Sequence, residues 1–87
     1  MATVRIPALL RDLTGGRNEV EVAGRNLRQV VAALEAGFPG MGARLLDEGE
    51  QRPELAFAVD GEVATLGLLQ PVAENSEVVI LPAIGGG

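Results

Sequence analysis

Only one stretch of this chain repeats with the period of an α-helix. Leu27, Val30, Val31, Leu34 and Phe38 stand at offsets of 0, 3, 4, 7 and 11 residues, which makes a single apolar stripe. Asn26 is suited to cap the start, and Gln29 three residues on approximates a capping box. Gly37 and Pro39 predict the end, because glycine accepts a left-handed cap and proline cannot continue the ladder. A helix this short is marginal alone, so its stripe must lie on another element. The other regular segments repeat with period two, so that element has to be a sheet.

Val4 and Ile6 alternate with Thr3, Arg5 and Pro7, which predicts a first strand near residues 2–7. Thr14-Gly15-Gly16 reads as a turn, and Asn18-Glu19-Val20-Glu21-Val22 as a second strand with valines on one face and glutamates on the other. Residues 40–47 can hold one further helical turn, with Met41, Leu45 and Leu46 inward. Residues 47–54 read as a polar surface loop. Leu55-Ala56-Phe57-Ala58-Val59 predicts a strand with large residues on one face and alanines on the other. Asp60-Gly61 is a two-residue hairpin turn returning into Glu62-Val63. Residues 66–72 are apolar without a period, which reads as a tucked loop or 3₁₀ turn. Val78-Val79-Ile80-Leu81 is apolar on both faces, which predicts a central strand. If that last strand lies beside the first, the pair is parallel. The expected fold is therefore α+β: a ubiquitin-like β-grasp, with a mixed sheet of four to five strands packed on one main helix. Residues 1–82 form its single domain, and residues 83–87 a flexible glycine-rich tail.

Composition removes many functions. The chain has no cysteine and no histidine, which excludes a disulfide framework, a thiolate metal site and the commonest general base. Ser76 is the only serine and has no histidine to activate it. Glu19 and Glu21 on one strand face, and Asp47, Glu48 and Glu50 in the loop, read as solvated acids rather than as catalytic or cation-binding sets. No catalytic residue and no metal site is expected. Seven cations face twelve anions, for a net charge of -5, and the cations are all arginines, scattered singly. With Phe38 and Phe57 as the only aromatics, nucleic-acid binding is not expected. No apolar run approaches the ~20 residues of a membrane span, and the N-terminus does not resemble a secretory signal. A cytoplasmic protein without membrane contact is expected.

The C-terminus is unusual. The apolar strand runs into Pro82-Ala83-Ile84 and then Gly85-Gly86-Gly87. Fraying or a tag remnant would account for glycines there. A functional reading accounts for more: without Cβ atoms such a segment can thread a narrow channel and bring its carboxylate to a partner's active site. Pro82 pre-sets an extended exit. A carboxylate is a poor electrophile until a leaving group is attached, so a chain offering only its terminal carboxylate acts as substrate or carrier.

Taken together, Val4-Arg5-Ile6-Pro7, Leu10 to Gly16, the Leu27 to Leu34 helix, Val59-Asp60-Gly61-Glu62 and Val78 to Ile84 before a terminal diglycine resemble the MoaD/ThiS family of ubiquitin-like sulfur carriers. The resemblance covers essentially the whole chain. It implies that an E1-like adenylyltransferase/sulfurtransferase uses MgATP to adenylate the Gly87 carboxylate, and that sulfur then replaces AMP to leave a thiocarboxylate. This chain itself would bind no cofactor. It implies as second partner a sulfur-accepting synthase, either cysteine-synthase-like or the large subunit of molybdopterin synthase. Gly86 and Gly87 match the family diglycine, and Ile84, Gly85 and Gly86 would thread the partner's active site. Many relatives carry a second proline where Ala83 stands; its absence, with Ile6-Pro7 and Thr14-Gly15-Gly16, resembles the CysO-like carriers that serve cysteine synthesis.

Serving two partners requires a reusable surface. If Val78 and Ile80 face the helix, Val79 and Leu81 face outward, joined by Ala56 and Ala58 and by Pro7. These residues are the expected partner-binding patch. Three other readings stay open: a small subunit of molybdopterin synthase, a ubiquitin-like modifier conjugated to lysines, and an interaction module whose tail is idle.

Overall fold

The computed structural model describes residues 1–82. Strand β1 (Ala2–Arg5) is followed by a 3₁₀ turn (Ala8–Leu10), β2 (Glu19–Val22), helix α1 (Leu27–Gly37) and the short helix α2 (Met41–Leu45). Then come β3 (Leu46–Asp47), β4 (Glu50–Gln51), β5 (Leu55–Val59), β6 (Glu62–Val63), a second 3₁₀ turn (Gly67–Leu69) and β7 (Glu77–Pro82). Five strands form one sheet in the order β2-β1-β7-β5-β6. β1 and β7 run parallel in its middle, with Val4 opposite Val78, and the remaining pairs are antiparallel. The most apolar strand is thus the central one, where both faces are covered or half-covered.

Alternation in sequence becomes two faces. Val20 and Val22 are buried, while Glu19 and Glu21 are exposed. Val4, Phe57, Val78 and Ile80 are almost completely buried against Leu27, Val30, Val31 and Leu34 of α1. Asn26 Oδ1 accepts the Gln29 amide at 2.9 Å, and Gln29 Oε1 accepts the Arg25 amide at 2.9 Å, one residue before the usual capping-box donor. This network, with Leu27 N donating to Gln70 O at 3.1 Å, satisfies amides at the start of the helix.

Three local expectations are corrected. The first strand ends at Arg5: Ile6 N still donates to Asn18 O, but Pro7 has no amide to continue the ladder and instead opens the 3₁₀ turn. Gly37 does not supply the left-handed cap. That conformation falls on Gly40, at φ 102°, whose amide donates to the Glu35 carboxylate, as does that of Gly42 at 2.8 Å. Glu35 therefore ties α1 to the start of α2. Residues 47–54 are not a plain loop either. β3 and β4 form a small hairpin across Glu48 and Gly49, both left-handed at φ 54° and 80°, which is the pairing a primed hairpin turn requires. Leu46 belongs to that hairpin and is half-buried, whereas Met41 and Leu45 lie in the core.

Candidate functional site

The face of the sheet turned away from α1 is built by register. Arg5 lies opposite Val79 and Glu19, Val79 opposite Ala58, and Leu81 opposite Ala56. Val79, Leu81 and Ala56 are half-buried. Ala58 is 8% exposed, more buried than a docking residue needs to be, and stands outside the hydrophobic core cluster, between Val79 and Val63 in the sheet register. Pro7 shares a shallow depression of about 220 Å³ with Val79, Arg5 and Arg11 at the end of the parallel pair. The structure thus places Ala56, Ala58, Val79 and Leu81 side by side on one face, with Pro7 at its margin. Val63 was missed in the sequence. It pairs with Ala58 and is 62% exposed, which extends the apolar band to the sheet edge. The Asp60-Gly61 turn could have located it, since a two-residue loop fixes 59 opposite 62 and 58 opposite 63.

Charge borders the band on its other side. Arg5 Nε donates to Glu77 Oε2 at 2.9 Å, and its Nη1 lies 3.8 Å from Glu19. The bond from Arg5 to Glu77, then the charges of Glu77 and Glu19, raise the guanidinium above its ordinary pKa. The pairs are solvent-exposed and add little to stability; they fix one positive group among Glu19, Glu21 and Glu77.

The turn that launches β7 is tied down more firmly. Ser76 Oγ donates to Asp60 Oδ2 at 2.7 Å, and Glu77 N donates to Asp60 Oδ1 at 2.9 Å. The Ser76 bond, then the Glu77 amide, hold the Asp60 carboxyl below the usual carboxylate range. Ser76 is 3% exposed and also accepts the Ala73 amide. It is a structural hydroxyl, not a nucleophile. Among the described residues no group of three or more acidic, histidine or cysteine side chains is placed to hold a metal ion.

β7 delivers the chain from this face to Pro82, paired with Leu55. Ile84, Gly85, Gly86 and Gly87 lie outside the described residues. At the exit Pro82 forms part of the wall of a groove of about 350 Å³ lined also by Leu9, Leu55, Arg44 and Arg52. No helix among the described residues is long and apolar enough to cross a membrane.

A mixed sheet with this order, one long helix on one face and an open apolar band on the other defines a small ubiquitin-like protein. The chain belongs to the ThiS family, whose model matches residues 4–87. It is 37% identical to the sulfur carrier protein CysO of Mycobacterium tuberculosis, over 98% of this chain and 97% of that protein. The crystal structure of M. tuberculosis CysO superposes with a TM-score of 0.90 at 35% identity, covering 97% of this chain and all of that one. The CysO matched in the Amycolatopsis orientalis BexX/CysO complex gives a TM-score of 0.90 at 32% identity, with both chains covered completely.

Proposed function

We propose that this protein is a sulfur carrier, and that Gly87 is the residue it carries sulfur on. An activating partner of the E1-like class uses MgATP to join AMP to the Gly87 carboxylate. A sulfur nucleophile displaces AMP, and the resulting thiocarboxylate delivers sulfur to an accepting synthase. The chain is a substrate in both steps. The single observation that carries the reading is the full-length likeness to CysO carriers, a match that the family model extends through Gly87. The BexX/CysO complex shows that a relative 32% identical binds a protein partner, and the outer apolar band supports the reading that this chain binds one there. The same likeness favours a cysteine-synthase-like acceptor over the large subunit of molybdopterin synthase.

Conjugation to lysines and sulfur transport diverge in their products. Incubated with an activating enzyme, MgATP and sulfide, the carrier gains about 16 Da as sulfur replaces oxygen. A modifier appears instead as adducts on lysine peptides of other proteins. Adducts without any thiolated chain would overturn the carrier reading. The chain contains no lysine, so it offers no side-chain amine on which copies of itself could be linked.

A further inference from the structure

The groove at the exit of β7 is built differently from the sheet face. Its walls are apolar: Leu9, 58% exposed, together with Leu10, Ala43, Leu55 and Pro82. Its rim carries two arginines, Arg44 and Arg52, against one carboxylate, Glu54, in a chain of net charge -5. Both are held in place by backbone carbonyls. Arg44 Nη2 donates to Leu9 O at 2.7 Å, and Arg52 donates through Nε and Nη2 to Ala43 O at 3.1 and 2.8 Å. These bonds orient the guanidiniums without neutralising them. Each also forms a wide, exposed salt bridge: Arg44 Nη1 lies 3.6 Å from Asp12 and Arg52 Nη1 3.9 Å from Glu54, both carboxylates about two-thirds exposed. Such loose surface pairs contribute little and exchange readily. A better-placed carboxylate would form the bidentate, charge-assisted bonds that a fixed guanidinium favours.

We infer that this groove is a docking site for a short apolar segment of a partner protein bearing a carboxylate, with its apolar side chains between Leu9 and Leu55 and its carboxylate on Arg44 and Arg52. Charge complementarity selects that occupant: two pre-oriented cations outnumber the single carboxylate, Glu54, at an apolar cleft on a molecule of net negative charge. Position adds to it, because Pro82 is at once a wall of the groove and the last residue before the terminal segment. An enzyme that takes hold of the chain beyond Pro82 binds close to this cleft. Naming the partner as a tail-engaging enzyme rests on the carrier reading; the recognition chemistry does not.

The test uses the full chain labelled with ¹⁵N and two blocked peptides, acetyl-Leu-Asp-Phe-amide and its Asn counterpart, titrated to millimolar concentration. The acidic peptide should shift the amides of Leu9, Leu10, Ala43 and Leu55 and the Nε signals of Arg44 and Arg52, binding roughly tenfold more tightly than the neutral one. R44Q/R52Q should remove that preference. R44K/R52K keeps the charge, loses the fork, and should retain only part of it; it also serves if the glutamine pair fails to fold. Equal response to both peptides, shifts confined to the sheet face, or no shift at all would overturn the proposal. So would contacts between Ile84 and Leu9 or Leu55 in the free chain, which would make the chain's own end the occupant, or concentration-dependent shifts without peptide, which would make it a second copy. No sulfur is transferred in this titration, so its failure leaves the carrier reading standing. Conversely, a chain that binds the peptide and is never thiolated counts against the carrier reading alone.

Discussion

Asp60 occupies the left-handed region at φ 52°, and its carboxylate holds the Ser76 hydroxyl and the Glu77 amide. It joins the turn before β7 to the β5–β6 hairpin. Its folded-state pKa lies below the ordinary value, so its contribution to stability is complete at neutral pH and down to about 4, the unfolded value, and is lost as pH falls through the folded value. Asp60→Asn keeps the tolerance for a left-handed backbone and removes the charge. Urea midpoints followed from neutrality to about pH 3 should therefore fall less steeply for the variant. Parallel curves would show that the Asp60 bonds do not discriminate between charge states. Gly24 is constrained by space instead. A Cβ there would lie 2.9 Å from the Val30 amide nitrogen and 3.0 Å from its Cγ2, so Gly24→Ala should cost about 1–3 kcal/mol in a denaturant melt. Neither role is legible in the sequence. Asp60 reads there only as half of a turn, and Gly24 only as a strand terminator, because the groups that explain them are distant in the chain or appear once the helix has packed.

At the scale of elements, α1 is specified by its own residues. Its stripe, its Asn26 cap and its partner surface agree, and agreement of local and global preferences marks a strongly determined element. Asn26→Ala should destabilise by about 0.5–2 kcal/mol, and Leu34→Ala, at a fully buried site, by about 2–5 kcal/mol; chemical denaturation measures both. The sheet is nearly as readable: alternation located β2, Asp60-Gly61 located the β5–β6 hairpin, and the two-sided apolar run of β7 placed it centrally. The β3–β4 hairpin was hidden because its turn puts a glutamate at positive φ, where glycine, asparagine or aspartate would have signalled it. The helix ends at Gly37 as read, but not through a left-handed glycine there: the positive φ falls on Gly40, and the Glu35 carboxylate receives the amides of Gly40 and Gly42, a contact the sequence does not announce.

At the scale of the whole molecule, one side of the sheet makes the core and the other is left open. The apolar band on the open side follows from period two and the β5–β7 register, so most of it is legible in the sequence. The groove beneath Pro82 could not, since Leu9, Arg44, Arg52 and Leu55 come from separate elements. Leu81 is half-buried on the open side, opposite Ala56. Leu81→Asp should cost at most about 1–2 kcal/mol of stability while lowering thiolation by an activating enzyme about tenfold or more, as loss of a central apolar contact does at interfaces. Unfolding midpoint and thiolation rate, measured on the same preparation, separate the two effects.

Sulfur carried on Gly87, as proposed, leaves a change of mass that can be assigned to that residue. The most direct measurement is the mass of the C-terminal peptide after incubation with an activating enzyme, MgATP and sulfide, for the full chain and for a variant lacking Gly87. A gain of about 16 Da located at Gly87 is expected, with no gain in the shortened chain although its unfolding midpoint is unchanged. A gain located elsewhere, or an undiminished gain without Gly87, would contradict it.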